Sequence, residues 1–438
     1  MNPTPGVTRA QQQVALWGST FAFTVCFAVW TIFSIIGVQI KQELGLSDTQ
    51  LGLLVATPIL TGSLVRLFLG IWADQVGGRI LFPIVMLCAA AATWFLTTMS
   101  TYGGYLFAAL LVGVAGGSFI VGTAYVSKWF PKEKQGTVLG IFGAGNVGAA
   151  VTKLLAPMVM VAWGWHAVAQ IWALTLAVTA VLFFLFTRDD PQLAARKASG
   201  AKPESFLQQL TPLKNLQVWR FSLYYFFVFG AFVALSLWLP HYLVGAYGMD
   251  IKTAGLIAAL YSIPGSIFRI AGGWLSDKVG ARTVMYWTFG VSVLCTFLLS
   301  YPTTTYIVSG IDGPIEFTLA MGVLPFTVLV FVLGFFMSLG KAAVYKHIPI
   351  YYPDNVGSVG GMVGMMGGLG GFALPIAFGA LNDLTGIWTS AFMLLFAVAA
   401  VSLAWMHFAI RRMERQKFPQ IKTETDLPEI MAAGGGNR

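Results

Sequence analysis

The stretch Arg66-Leu-Phe-Leu-Gly-Ile-Trp-Ala-Asp-Gln-Val-Gly-Gly-Arg79 returns in modified form as Arg269-Ile-Ala-Gly-Gly-Trp-Leu-Ser-Asp-Lys-Val-Gly-Ala-Arg282. Counted from the leading arginine, five further residues recur at identical spacings: Gly70 and Gly273, Asp74 and Asp277, Val76 and Val279, Gly77 and Gly280, Arg79 and Arg282. A Gly-Ser pair also precedes both arginines at the same distance. The chain is therefore an internal duplication, and each copy carries one arginine at the same position.

The composition of this 438-residue chain is that of an integral membrane protein. Hydrophobic residues make up 57% of the chain and charged residues only 10%, and the mean hydropathy is +0.76. A membrane-spanning helix needs roughly 20 predominantly apolar residues to cross about 30 Å of hydrocarbon. Runs of this kind occur at 14–37, 49–73, 80–99, 104–127, 137–161, 165–187, 219–245, 252–275, 282–301, 319–345, 356–381 and 386–410. The predicted fold class is all-α integral membrane with twelve transmembrane helices.

The runs divide into two sets of six, and the duplicated motif lies in the second run of each set. This pattern predicts an N-terminal six-helix half over 1–187, a cytoplasmic linker over 188–218, a C-terminal half over 219–410 and a cytoplasmic tail over 411–438. Two parallel six-helix halves related by a pseudo-two-fold axis along the membrane normal are the major facilitator architecture.

The distribution of basic residues predicts the orientation in the membrane. The net charge is +9, but with the N-terminus inside, the outer loops hold only Lys41 and Lys252, and the other loop cations fall on the inner face. This bias places both termini in the cytoplasm. It predicts a multi-pass protein of the inner (cytoplasmic) membrane, in contact with the lipid bilayer and without a nucleic-acid partner.

The leading arginines, Arg66 and Arg269, lie within apolar runs, about 12 Å before the loop aspartate at 1.5 Å per residue. Snorkelling over that depth is poor, and every acidic residue before the tail falls in or beside a predicted loop. A mobile anion is therefore favoured over a fixed carboxylate as their partner. Guanidinium forks suit planar oxyanions, which they can bind through two hydrogen bonds.

Glycines three and four apart let two helices approach closely. Gly136, Gly140 and Gly143 in the fifth run have counterparts in the eleventh run, Gly357, Gly361 and Gly364. These two runs are therefore predicted to pack tightly and line the space between the halves. The three cysteines and four histidines are scattered, so no metal site, no cofactor and no enzyme is predicted.

The sequence allows two interpretations of several other residues within the runs. Tyr225 and Phe229 are four apart and share one helix face, and Phe119 lies in a small-residue stretch of the fourth run. Taken alone, core or lipid packing is the favoured role of these aromatics. Lys153 and Lys341 also lie within apolar runs, where snorkelling and function are equally supported.

Taken together, these residues resemble the nitrate/nitrite porter family of the major facilitator superfamily. The resemblance is carried by 66–79, Phe119, 130–132 through 145–157, 269–282 and 367–375. It implies that Arg66 and Arg269 clamp the anion from opposite halves and that Asn146 donates a hydrogen bond. Phe119, Tyr225 and Phe229 would then wall the planar ion, with Tyr224 as the alternative to Tyr225.

The same resemblance assigns two sets of residues to gating and helix packing. The first set belongs to the loop signature of the superfamily: Gly70, Asp74, Gly77, Arg79, Asp277 and Arg282. The second set comes from the paired Gly-rich signatures: Gly145, Gly148, Gly367, Gly368, Gly370 and Gly371. The chain departs from the loop signature at Gln75 and Gly78, where basic residues are usual.

The implied function is secondary active transport of nitrate, and of nitrite, by alternating access in a functional monomer. Asp74 and Lys341 resemble the proton-coupled branch of the family, so symport with protons is expected, with Lys341 and Lys153 as candidate proton carriers. A nitrate/nitrite exchanger is the alternative, because no carboxylate is predicted within the membrane and exchange needs none. A membrane anion sensor without transport is a distant third reading.

Overall fold

The computed structural model describes residues 8–130, 135–190, 215–351 and 356–417 of the chain. Within these ranges the side chains of a few residues, including Asp74 and Asp277, also lie outside the description. Most of the predicted linker and tail falls outside the described residues.

The first half consists of six spans, each defined here by its helices. Span 1 is Arg9–Trp30 and Phe33–Leu44, span 2 is Asp48–Val76, and span 3 is Gly78–Phe95. Span 4 is Tyr102–Val112, Gly113–Gly117 and Ser118–Ser127. Span 5 is Gln135–Gly143, Ala144–Val147 and the start of Gly148–Phe186, whose remainder is span 6. Spans 5 and 6 meet at Gly164, where a φ of 81° breaks the helix.

The second half repeats this plan. Span 7 is Leu216–Tyr225, Phe226–Ala231 and Phe232–Tyr247, and span 8 is Ile251–Ser262, Pro264–Ile267 and Arg269–Val279. Span 9 is Ala281–Leu299, span 10 is Val323–Tyr351, span 11 is Val356–Thr385 and span 12 is Ser390–Lys417.

The prediction of twelve spans agrees with these helices. Ten helical stretches of the described residues are long and apolar enough to cross a membrane. One of them, Val138–Phe186, contains the break at Gly164 and so supplies two spans. Span 2 adds the twelfth, because its 29 residues reach about 43 Å at 1.5 Å per residue.

A β-hairpin was not predicted. Strands Thr304–Gly310 (β1) and Gly313–Leu319 (β2) pair antiparallel between spans 9 and 10. Residue 319 was predicted to begin the tenth run, but it ends the hairpin and the helix begins at Val323. The hairpin lies between two predicted runs, and large side chains such as Ile307 and Ile315 are exposed on it.

The two ends of the bundle are marked by different turns. The motif end carries the turns at Gly77 and Gly280, whose φ values of 91° and 86° are in the left-handed region that favours glycine. The two copies of the repeated motif therefore share a backbone turn as well as a sequence. The opposite end carries the turns between spans 1 and 2 and between spans 7 and 8.

Spans 2 and 11 form the longest contact between the two halves. A Cβ atom built on Gly52 or Gly379 would collide with the backbone of span 11 or span 2 respectively. Near the middle of the bundle, a Cβ on Gly371 would lie 3.1 Å from Ile59. The halves are thus in close contact from the middle of the bundle to the opposite end.

Candidate functional site

Both arginines of the repeated motif lie against one aromatic ring. The guanidinium carbon of Arg66 is 5.6 Å from the centroid of the Phe119 ring, and that of Arg269 is 5.9 Å from the same centroid. Both arginines are buried. The two halves thus bring their duplicated cations together at the center of the bundle.

Arg66 is hydrogen-bonded to the first half and covered by an aromatic ring of the second. Its Nε donates to the carbonyl of Gly116 at 3.2 Å. Its guanidinium carbon lies 5.5 Å from the Trp30 ring and 5.8 Å from the Phe229 ring. Cation–π attraction from three aromatic faces, including Phe119, supplies partial stabilisation of a charge that is out of contact with bulk water.

Arg269 has fewer fixed partners. Its guanidinium carbon lies 5.7 Å from the ring of Tyr345, and its buried Nη1 has no hydrogen-bond acceptor among the described residues. The Nδ2 of buried Asn146 likewise lacks an acceptor there. Buried donors without acceptors are costly, and the oxygens of an anion would satisfy both.

Each arginine also meets a glycine from the opposite half. A Cβ on Gly143 would lie 3.3 Å from Nη1 of Arg269, and a Cβ on Gly368 would lie 3.7 Å from Nη1 of Arg66. The absence of a side chain at both positions leaves each guanidinium accessible from across the interface between the halves.

The charge of this site is not balanced within the described part of the chain. No described carboxylate lies within ion-pair distance of either arginine, and the ion pairs found there lie at the two ends of the bundle. The acidic side chains at 74 and 277 are outside the description. A pair of buried cations in these surroundings favours an anionic ligand.

Tyr225, rather than its neighbour Tyr224, belongs to the site. The Tyr225 ring stacks on Phe229 with 5.1 Å between centroids and 8° between planes. It also meets Tyr345 edge-on at 4.9 Å. Tyr224 packs instead against Phe289, at 5.7 Å. The stacked Tyr225 and Phe229 form a flat apolar surface beside Arg66.

The site residues lie where the helices depart from α-geometry. Asn146 is in a 3₁₀ segment, Phe229 is in a π-helical segment, and Arg269 follows a break at Phe268. A second 3₁₀ segment, Gly113–Gly117, contains the carbonyl that holds Arg66. Such irregular turns within spans are tolerated where they line a functional cavity.

The Gly-rich signatures hold spans 5 and 11 against their neighbours. A Cβ on Gly145 would lie 2.5 Å from Phe23, and one on Gly148 would collide with the span 1 backbone. In span 11, Gly367 and Gly370 face span 7 just as closely. These positions are adjacent to the site residues Asn146 and Tyr225.

The glycines that recur at the same spacing in the fifth and eleventh runs do not all make close contacts. A Cβ on Gly361 would have nothing within 4 Å, and one on Gly140 would only touch Ile270 at 3.9 Å. Gly364 meets the hydroxyl of Tyr345. The surroundings of Gly136 and Gly357 are not among those that the structure describes. The tight packing expected of runs five and eleven therefore does not extend to Gly361 and Gly140, because helix spacing alone does not fix which face meets a neighbour.

The loop-signature residues fall at the motif end. Arg79 stacks on Phe184, 4.8 Å from the ring centroid, and its Nη1 lies 4.0 Å from Asp189. It thus connects span 3 to the end of span 6. Arg282 is buried at the start of span 9. The surroundings of Gly70, Asp74 and Asp277 lie outside the description, so their gating role stays a prediction.

Both apolar-run lysines are completely buried. Lys341 Nζ donates to the carbonyl of Gly265 at 2.6 Å and lies 3.1 Å from the centroid of the Phe232 ring. Lys153 Nζ donates to Ala149 at 3.1 Å and to Ser236 at 2.7 Å. Neither lysine snorkels to the membrane surface.

Sequence inspection missed a charged cluster at the opposite end, made of Lys41, Asp48, His241, Asn382 and Asp383. The Asp48 carboxylate accepts from Lys41 at 2.5 Å, His241 at 2.8 Å and Asn382 at 2.7 Å. These three hydrogen bonds compensate for the partial burial of the Asp48 charge. These residues lie on four different helices, so no local sequence pattern predicts the cluster.

Asp383 completes the opposite-end cluster. Its carboxylate accepts from the backbone nitrogens of Asp48 and Thr49 at 3.1 and 2.8 Å, and also from the Thr49 hydroxyl. Those two nitrogens belong to the first turn of span 2, where an anion also complements the helix dipole. Spans 7 and 11 of the second half are thereby bonded to span 2 of the first, and the opposite end is closed.

Tyr345, Trp30 and Gly116 are site residues that sequence reasoning also missed. Tyr345 lies four residues after Lys341 in span 10, and its hydroxyl donates to the Gly360 carbonyl at 3.0 Å. The spacing of Tyr345 to Lys341 was the only available signal, because residues four apart share a helix face.

Comparison with known proteins agrees with this architecture. The model of the Major Facilitator Superfamily matches residues 19–324. A probable nitrate/nitrite antiporter, NarK1, of Thermus thermophilus is 44% identical over 428 residues, covering 94% of this chain and 95% of the relative. The nitrite extrusion protein of Bacillus subtilis is 30% identical over 92% of this chain and 96% of its own length. A probable nitrate transporter, NarT, of Staphylococcus haemolyticus is 31% identical over 86% and 91%.

Solved structures share the fold at low sequence identity. A bacterial homolog of the human lysosomal transporter Spinster, inward-facing and occupied, superposes with a TM-score of 0.69 at 15% identity, covering 92% of this chain and 98% of that one. The nucleoside transporter NupG gives 0.69 at 14% identity over 90% and 99%. The fold and the relatives together identify a transporter and not an enzyme. The chain therefore belongs to the nitrate/nitrite porter family of the major facilitator superfamily.

Proposed function

We propose that the protein carries nitrate and nitrite across the cytoplasmic membrane by alternating access, as a monomer, and that nitrate uptake is coupled to protons. The relatives that cover nearly the whole chain are named for nitrate and nitrite transport. The motif end faces the cytoplasm in this proposal, because the loop cations gather there.

One observation carries the assignment of the substrate. Arg66 and Arg269 converge on Phe119 from opposite halves, and Arg269 Nη1 and Asn146 Nδ2 are buried donors without an acceptor among the described residues. A planar oxyanion fits between guanidinium forks and the flat stack of Tyr225 on Phe229. Its oxygens would accept from the unsatisfied donors while its faces contact the aromatic rings.

The same geometry gives a reason for alternating access. Without an anion, closing the site brings two like charges together away from water, which is unfavourable. A bound anion neutralises them and favours closure. Because Arg66 and Arg269 belong to different halves, the anion bonds the halves together at the point about which they rock.

Coupling to protons is proposed because Lys153 and Lys341 are titratable side chains buried among the spans. Neither forms an ion pair with a described carboxylate. Nitrate/nitrite exchange is the second candidate, and it is favoured by the name of the relative from Thermus thermophilus. Exchange would need no proton carrier.

Purified protein in sealed liposomes distinguishes the two mechanisms. With nitrate outside and no anion inside, an inward proton gradient alone should drive nitrate accumulation and alkalinise the outer solution. In strict exchange, flux stays at background until nitrite is loaded inside and ignores the proton gradient. A pH dye and a nitrate assay in the same vesicles measure both quantities.

A further inference from the structure

Lys153 and Lys341 differ in which half of the protein supplies their partners. Lys341 in span 10 bonds to Gly265 in span 8 and lies on Phe232 in span 7, all in the second half. Lys153 in span 5 of the first half bonds to Ser236 in span 7 of the second. A rocking motion of the two halves leaves the surroundings of Lys341 intact. It removes the Ser236 acceptor of Lys153 and leaves only the Ala149 carbonyl of its own helix.

The bond from Lys153 continues into the second half. Ser236 Oγ lies 3.1 Å from Ser262 Oγ, and Ser262 Oγ donates to the carbonyl of Ala258 at 3.1 Å. Because a carbonyl only accepts, a chain running Lys153 to Ser236 to Ser262 to Ala258 gives every hydroxyl proton an acceptor. The Lys153 amine thus has a preformed hydrogen-bond acceptor on the other side of the interface between the halves.

This bond lies on the part of the interface that must separate when the opposite end opens. The carbonyl of Lys153 is so close to Gly255 that a Cβ there would collide with it, and Gly255 lies just after Asp250, the cap of span 8 at the opposite end. Opening would expose Lys153 to the outer solution, and closing buries it completely.

We propose that Lys153, and not Lys341, is the proton-coupling residue of the transport cycle. Burying a charge without a counter-charge is costly, so a group that alternates between water and a closed interface can bind a proton in one state and lose it in the other. One proton binds to Nζ from the outer solution when the opposite end is open. After closure the proton leaves Nζ for the inner solution when the motif end opens, so Nζ gains and loses one proton in each cycle. This inference rests on the proposed proton-coupled uptake.

Other titratable and charged side chains lie on the elements packed around Lys153. They either form hydrogen bonds with other residues, are exposed or belong to another site. On span 7, His241 bonds to Asp48. On span 8, the Tyr261 hydroxyl donates to Phe232 and Lys252 is exposed. Asp250 caps this helix, and Arg269 belongs to the arginine site at Phe119. On span 1, Cys26 is buried, Lys41 belongs to the opposite-end cluster, and Glu43 bonds to Gln39 and Trp165. Lys153 is therefore the group whose protonation this interface controls.

The test measures the ratio of protons to nitrate from the reversal of flux at set proton gradients in liposomes. We expect Lys153→Met and Lys153→Arg to lower this ratio by about one proton, because neither side chain titrates near neutral pH, and to retain nitrate exchange at equal pH. Lys341→Met, a matched control with equal burial, should keep the wild-type ratio. An unchanged ratio in the Lys153 variants, or an equal loss in Lys341→Met, overturns the proposal.

A second variant keeps the test decisive if substitution of Lys153 prevents folding. Ser236→Ala retains the lysine and removes its acceptor across the interface, so the pH dependence of uptake should shift while the ratio is kept. An unshifted pH profile overturns the proposal. Failure of proton-driven uptake in the wild-type protein would instead refute the proposed symport, and with it this role of Lys153.

Discussion

Arg66 and Arg269, the leading residues of the two motif copies, have their guanidinium carbons within 5.6 and 5.9 Å of the same ring, that of Phe119. Neither arginine contacts a described carboxylate, and the described ion pairs all lie toward the two ends of the bundle. The two copies of the repeated motif thus place two cations beside the Phe119 ring. Substitutions at these two arginines test the transport hypothesis.

The arginine pair predicts a requirement for planar donors. Arg66→Lys and Arg269→Lys keep the charge but lose the fork, and each charge-assisted hydrogen bond is worth about 1.5–3 kcal/mol. We expect nitrate affinity to fall roughly ten- to a hundred-fold in each variant, measured by calorimetry in detergent. Arg9→Lys, at the exposed start of span 1, serves as the control. Near-normal affinity in both site variants would refute the two-arginine clamp.

The stacked aromatic pair predicts different effects for two adjacent tyrosines. Tyr225→Ala removes the ring that lies on Phe229 and should weaken nitrate binding about ten-fold, in the range for loss of an aromatic contact. Tyr224→Ala removes packing against Phe289, so thermal stability should fall while affinity stays within about two-fold. Equal losses of affinity would show that Tyr225 has no direct role.

The glycines of span 11 predict a position-specific block of transport. A Cβ on Gly368 collides with the Ser63 hydroxyl beside Arg66, whereas a Cβ on Gly361 meets nothing within 4 Å. Gly368→Ala should therefore reduce the rate of nitrate flux in liposomes at normal expression, and Gly361→Ala should not. Equal flux in the two variants would show that close approach at Gly368 is not needed for the cycle.

The opposite-end cluster predicts a shift between conformations. Asp48→Asn removes the charge that Lys41 and His241 bind, and loss of charged hydrogen bonds costs about 1.5–3 kcal/mol. We expect hydrogen exchange to speed up about ten-fold at the first turn of span 2 and the last turn of span 11. Asp250→Asn is the matched control, because Asp250 only caps its own helix. Unchanged exchange in Asp48→Asn would show that the cluster does not hold this end closed.

The sequence by itself determined the twelve spans, the duplication and the position of one arginine in the second span of each half. These depend on local properties, since hydrocarbon thickness sets the length of a span and a repeated motif folds to a repeated turn, as at Gly77 and Gly280. The resemblance of the motifs also led to the family. The hairpin 304–319 was missed because it lies between two predicted runs, and a search for runs long enough to cross the bilayer does not detect two short strands.

Only the tertiary structure decided which side chains meet. Helix spacing restricts Tyr225 and Phe229 to one face, but the packing of spans 7, 10 and 11 selects Tyr225 over Tyr224 and adds Tyr345. The opposite-end cluster and the bond from Lys153 to Ser236 join residues far apart in the chain. Contacts between halves depend on how two rigid bodies are placed, and no periodicity within one helix encodes that placement.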